Sequence, residues 1–181
     1  MALLPTLSFH VLMQDEDPNR SSEQETAPSS CLRYVKESAI KATPREVFDF
    51  HESPNALTLL IPPWENMQVV ESAGSLKPVS RVVLKGRKGI IPMKWVAVHT
   101  EYDPPHLFAD KQESGPFSYW YHRHHMLDDG EGGTILRDEV EFLPPLGMVG
   151  RVLGGWFILR QLEKIFTYRH ETTKRAVESG E

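Results

Sequence analysis

The residues best equipped for chemistry lie in one short stretch, Trp120-Tyr-His122-Arg-His124-His-Met126, and in Asp138 beyond it. An imidazole hydrogen-bonded to a carboxylate is held in one tautomer and made more basic. His124 with Asp138 could therefore serve as a general base, or, with Trp120 and His122, orient the polar end of a bound molecule. A third reading is structural: a satisfied polar network that fixes strand register. His122 and His124 are two apart, so on a strand both imidazoles leave the same face, and Asp138 could add a third ligand for zinc or iron(II). His-x-His on a strand is common without metal. Spacing alone does not supply the third ligand's geometry, so the expectation is no metal and no cofactor.

Periodicity identifies the elements that position these side chains. Even positions put Trp120, His122, His124 and Met126 on one face; odd positions put Tyr119, Tyr121, Arg123 and His125 on the other. In Thr134–Phe142 the even positions are Thr134, Leu136, Asp138, Val140 and Phe142, whereas Arg137, Glu139 and Glu141 are odd and charged. The even face is therefore the buried one. Between the runs, Asp129-Gly-Glu-Gly-Gly133 is a turn that tolerates positive φ. As a five-residue loop it sets His124 opposite Asp138 inside and Arg123 opposite Glu139 outside. A one-residue slip would destroy both pairs. Asp110 and Gln112 alternate with Phe108 on the preceding strand. A bulge in residues 113–116 brings Asp110 into the histidine stripe, and a plain four-residue loop turns it outward.

The chain has 181 residues, enough for one domain with a real core, and its 40% hydrophobic and 25% charged content is that of a globular protein. Net charge is −5, which provides no basic footprint for nucleic acid. Residues 1–30 carry five acidic side chains against one arginine, leaving the remainder nearly neutral. That segment is polar and proline-containing from residue 14 onward and is expected to be a disordered leader, with the folded domain over 31–181. Cys31 is the only cysteine, so an internal disulfide is excluded and a reducing cytoplasm is the expected compartment. No apolar run approaches the ~20 residues that span a bilayer, and no signal peptide is read at the start.

Residues 32–41 read as a strand. Thr43-Pro-Arg-Glu46 then carries the cap, proline and glutamate of a helix start, and a second short helix at 55–60 stops at Pro62-Pro63. Strand-like runs follow at 67–72, 80–84, 93–102 and 107–112, separated by short turns, as in an antiparallel meander. The basic tip 85–89 reads as a solvated turn. From Met148 to about Val177 one helix is expected, with Val149, Val152, Trp156, Leu159, Leu162, Ile165 and Phe166 on its apolar face and Arg160, Glu163, Lys164 and Arg169 opposite. Gly150, Gly154 and Gly155 within it suit close approach to the sheet, room for a ligand, or a frayed first turn. Trp95, Tyr102, Trp156 and Phe166 read as wall and core, and Trp64 as a residue of the pocket mouth. The class is α+β: a curved antiparallel sheet of six to seven strands wrapped on a long C-terminal helix, with two short helices after the first strand. This is the helix-grip arrangement.

With that order in place, several segments resemble the SRPBCC superfamily, also called START or Bet v 1-like, and within it the bacterial cyclase/dehydrase-like branch. They are residues 42–51, 57–63, Phe108-Ala-Asp110, Gly115-Pro-Phe117, Trp120-Tyr-His122-Arg-His124 and Asp138-Glu-Val-Glu-Phe-Leu-Pro144. The resemblance covers about residues 32–175 and implies a cavity for a hydrophobic or amphipathic small molecule. No enzyme family's catalytic signature falls on these residues, so no catalytic residue is assigned. The expected ligand-binding set is Trp120, His122, His124, Asp138, Asp110, Phe108, Trp156 and Leu159. Two further functions stay open: a cyclase or dehydratase using His122, His124 and Asp138 as acid–base groups, and an interaction module using the outer Tyr119, Tyr121 and Arg123. Neither nucleic acid nor stable membrane insertion is expected, and a homodimer stays open.

Overall fold

The computed structural model describes residues 27–145 and 147–179, with side chains along the C-terminal helix from residue 154 onward. Most of the expected leader thus lies outside the described residues. In chain order the elements are β1 (Leu32–Ile40), α1 (Pro44–Glu52), α2 (Ala56–Leu59), β2 (Asn66–Ser72), β3 (Arg81–Lys88), β4 (Ile91–Asp103), β5 (Leu107–Ser114), β6 (Tyr119–Asp128), β7 (Thr134–Leu143) and α3 (Gly147–Glu178). The seven strands form one antiparallel sheet in the order β1-β7-β6-β5-β4-β3-β2. Hairpins join β2 through β7 in succession, while α1 and α2 carry the chain from one sheet edge to the other. Register shifts leave an extra residue in β2 at Val70, in β4 at Thr100 and in β5 at Glu113, and bend those strands, as bulges do. This is the helix-grip fold.

Local chemistry explains the helix start. Thr43 Oγ1 accepts from the Glu46 amide, and the Glu46 carboxylate accepts from the Thr43 amide, a reciprocal cap with Pro44 at the first helical position. Such a cap contributes about 1 kcal/mol. It delivers Val47 and Phe48, both fully buried, to a core cluster of Ile40, Phe108, Met126 and Leu136. Phe48 meets Tyr102 and Phe108 edge-on. A second cluster joins Tyr34, Trp120, Val140 and Phe142 of the sheet to Leu162 and Phe166 of α3.

The helix docks chiefly along β1. Glu163 accepts from Tyr34 Oη at 2.8 Å and from Lys36 Nζ at 2.6 Å, His170 Nδ1 lies 2.9 Å from Ser38 Oγ, and Lys174 Nζ donates to the Ala39 carbonyl. Its rotation differs from the expected one. Trp156, read as wall, is 70% exposed, with Arg160 stacked over its ring. The buried stripe instead runs through Gly155, Leu162, Phe166, His170 and Thr173, with Leu159 partly buried beside it. Gly155 is the reason the helix can come close: a Cβ there would stand 3.1 Å from Leu32 Cδ1. No helix among the described residues is long and apolar enough to cross a membrane.

Candidate functional site

The β6–β7 hairpin has the expected register: His124 pairs with Asp138, and Arg123 with Glu139. Along β7 buried and part-exposed residues alternate without exception, and Asp138 is 3% exposed. On the other side Asp110 pairs with His122, so its side chain joins the histidine stripe. An extra residue at Glu113 interrupts β5, where Val96 pairs with Ser114 and Ala97 with Gln112, and the Gln112 amide is bonded into the β5–β6 connection. Gln112 Nε2 donates to the Phe117 carbonyl at 2.7 Å, and its Oε1 accepts from the Phe117 amide.

Asp138 is the hub of a buried polar cluster. Its Oδ1 accepts from His122 Nε2 at 3.1 Å and lies 2.6 Å from His124 Nδ1, the latter outside hydrogen-bond alignment. Its Oδ2 accepts from His170 Nε2 at 2.8 Å. Asp110 Oδ2 stands on the far side of the two central imidazoles, 3.6 Å from His122 Nδ1 and 3.7 Å from His124 Nε2. Phe108 stacks flat on His124 with centroids 4.0 Å apart, and His51 packs against both. Trp120 sits farther along the stripe, edge-on to Trp95 and against Phe117.

Burial and neighbouring charge divide these groups into opposite states. Burial lowers the His122 pKa, with the nearby His124 adding to the effect. Burial acts on His124 the same way, but Asp138 and Asp110 outweigh it and raise its pKa. Burial opposes ionisation of Asp138 too, yet contact with His124, His122 and His170 holds its pKa well below the usual carboxylate range. Asp110 is lowered likewise, by His124 and His122 against burial. Desolvation pushes His51 down to about 4.

Of the ligand-binding set, the structure brings Phe108, Asp110, His122, His124 and Asp138 together and places Trp120 and Leu159 beside them on the second core cluster. Trp156 stands apart in solvent. Sequence reasoning missed three participants. His170 and Arg169 look like ordinary helix polar residues, and Arg169 was expected on the solvated side. Instead its Nε is buried without a hydrogen-bond partner. Burial lowers the Arg169 pKa, against the pull of Asp138, Asp110 and Glu65. His51, in the last turn of α1, has Nδ1 2.8 Å from the Val47 carbonyl. A four-residue continuation of the Leu162–Phe166 spacing to His170 was the one available signal.

A groove of about 430 Å³ opens between α2 and β2, lined by Thr58, Ile61, Pro62, Glu65, Met67 and Val69 among others. Trp64 beside it is 45% exposed, edge-on to Tyr168 with Lys164 over its ring.

The profile of the family described as polyketide cyclase / dehydrase and lipid transport matches residues 40–166. The chain belongs to that family. Solved structures agree on the fold. The Zhui aromatase/cyclase from Streptomyces sp. R1128 superposes with a TM-score of 0.63 at 13% identity, over 82% of this chain and 94% of that one. Norcoclaurine synthase from Thalictrum flavum, in complex with dopamine and hydroxybenzaldehyde, gives 0.62 at 13%, over 84% and 90%. A nucleoside-diphosphate sugar epimerase from Corynebacterium glutamicum gives 0.64 at 21%, but this family member covers 80% of itself and spans only 29% of the epimerase chain. Comparison with curated proteins yields no match. At these identities the likeness shows the fold alone.

Proposed function

We propose that this chain binds an amphipathic small molecule whose oxygen-bearing end meets the His–Asp–Arg cluster and whose apolar body lies along Trp95, Phe117, Trp120 and Leu159. The observation that carries this reading is Arg169. A buried guanidinium nitrogen left without a partner is costly, and a ligand oxygen is the kind of acceptor that would offset the cost. The related structures named for aromatic cyclisation, or holding dopamine and hydroxybenzaldehyde, support a ring-bearing, oxygenated ligand. Burial of ~400 Å² of apolar ligand surface would supply on the order of 10 kcal/mol before entropic costs, ample for micromolar binding. Glu65 lines the α2–β2 groove and lies within electrostatic reach of Arg169, which makes that groove the proposed entrance.

A second reading is a cyclase- or dehydratase-type reaction. The observation favouring it is the adjacency of a His124 pushed towards the cationic form and a His122 pushed towards the neutral form, an acid and a base on one face.

The test is titration with an anionic naphthalene fluorophore and with an uncharged analogue. The anionic probe should bind at least about tenfold more weakly to Arg169→Gln, the uncharged one nearly unchanged, and neither to Leu159→Trp. Equal binding of the anionic probe by wild type and a folded Arg169→Gln would refute the assignment of the polar end.

A further inference from the structure

The two central histidines each use both ring nitrogens, and in a pattern that a hydrogen-bond network alone does not explain. One nitrogen of each faces Asp138 Oδ1, and the other faces Asp110 Oδ2. The Asp110 separations, 3.6 and 3.7 Å, are too long for hydrogen bonds. They are close to what one shared ion would impose. With metal–ligand bonds of about 2.1 Å, two donors of a tetrahedral ion stand about 3.4 Å apart. One ligand atom each from Asp110, His122 and His124 lies within 4.8 Å of the other two.

We propose that Asp110, His122 and His124 form a binding site for a divalent first-row transition ion of the zinc or iron(II) type. Asp138 is the outer-sphere carboxylate that orients both imidazoles. Two imidazoles and one carboxylate are a donor set such ions accept while keeping further positions open. A carboxylate behind a ligating imidazole fixes its tautomer and strengthens it as a donor. Asp138 therefore stands behind the ligands rather than among them, unlike the three-ligand set that sequence spacing suggested. His124 and Asp110 keep 11% and 16% of their side chains exposed, which leaves the donors reachable. With both histidines neutral, the ion, the two carboxylates and Arg169 leave one net positive charge inside, which an anionic ligand group would neutralise. An open position on the ion would polarise a carbonyl or carboxylate oxygen held there.

The proposal does not rest on the ligand reading, because the metal alone is the probe. The full chain, stripped with a chelator, is titrated with Co²⁺ and followed by visible absorption. One equivalent should bind at micromolar or lower concentration with d–d bands of a low-coordinate ion. Asp110→Asn should weaken binding by at least the roughly 10- to 100-fold that an outer-sphere partner is worth. Retention of full affinity by Asp110→Asn, or no binding by wild type, overturns the site. Should the variant misfold, X-ray absorption of the wild-type Co²⁺ complex decides: two imidazoles and oxygen donors support the site, and fewer than two imidazoles refute it.

Discussion

β6 carries two polar networks, one on each face, and they obey different rules. Outside, Tyr121 Oη bonds Thr100 and Glu101, Arg123 pairs with Glu101 at 2.9 Å and approaches Glu141, its guanidinium covers the Tyr121 ring, and Arg33 closes on Glu139. Each cation there has its anion, and the network covers Tyr121, leaving it 8% exposed. Tyr121 and Arg123, two of the residues left open for an interaction module, are engaged in these pairings. Inside, Asp138 gathers three imidazoles, while Asp110 stands off two of them and Arg169 Nε has no partner. The outer network pairs its charges but leaves one buried donor, Arg137 Nε, without a hydrogen bond, while Arg137 still approaches Glu37 and Glu139. The inner one differs in concentrating its unused capacity, His124 Nδ1 and Arg169 Nε, around a buried carboxylate hub.

The sharpest way to break this contrast is Asp138→Asn. Removing the charge from a buried hub should cost about 3–5 kcal/mol in chemical denaturation with an unchanged m-value. A loss below 1 kcal/mol would mean that the inner cluster is as lightly held as the outer one.

Acid should separate the faces next. His51 titrates near 6.5 in the unfolded chain and about 4 in the folded one, so between those values only the unfolded state takes the proton. Stability from this group is intact above pH 6.5 and is lost as pH falls towards 4. With a discount for partial exposure the loss is about 1–3 kcal/mol. His124, its pKa raised, acts in the opposite sense: its contribution is full below 6.5 and lost as pH rises through the folded value. Comparison with His51→Gln isolates the first effect, and parallel stability curves for the two proteins would contradict it.

The smallest effects are the most diagnostic. Arg123→Met should cost about 1 kcal/mol, since it strips charge partners from Glu101 and Glu141 at a part-exposed site. Arg169→Met should cost nothing or add up to about 1 kcal/mol, because the charge it removes is buried and underpaired. A larger loss at 169 than at 123, measured by thermal melting of the apo protein, would reverse the comparison.

Much of this was legible in the chain itself. The period-two alternation in 120–126 and 134–142 and the five-residue turn between them determined both the buried face and the His124–Asp138 register, because these are local properties of pleat and loop. The Thr43–Glu46 cap and the order of elements were legible for the same reason. Three things were decided only in the tertiary structure. Asp110 faces inward with an extra residue at Glu113 in β5, beside a Gln112 side chain bonded to Phe117, and alternation alone does not say whether such a bulge is present. α3 settled with Gly155 inward and Trp156 outward, a rotation of about 100° between neighbours that hydropathy favours the wrong way and close packing on Leu32 reverses. Arg169 and His170 entered the site from that helix. A polar residue on a buried stripe reads like one on the solvated face until the carboxylate it meets, more than thirty residues away in sequence, is brought beside it.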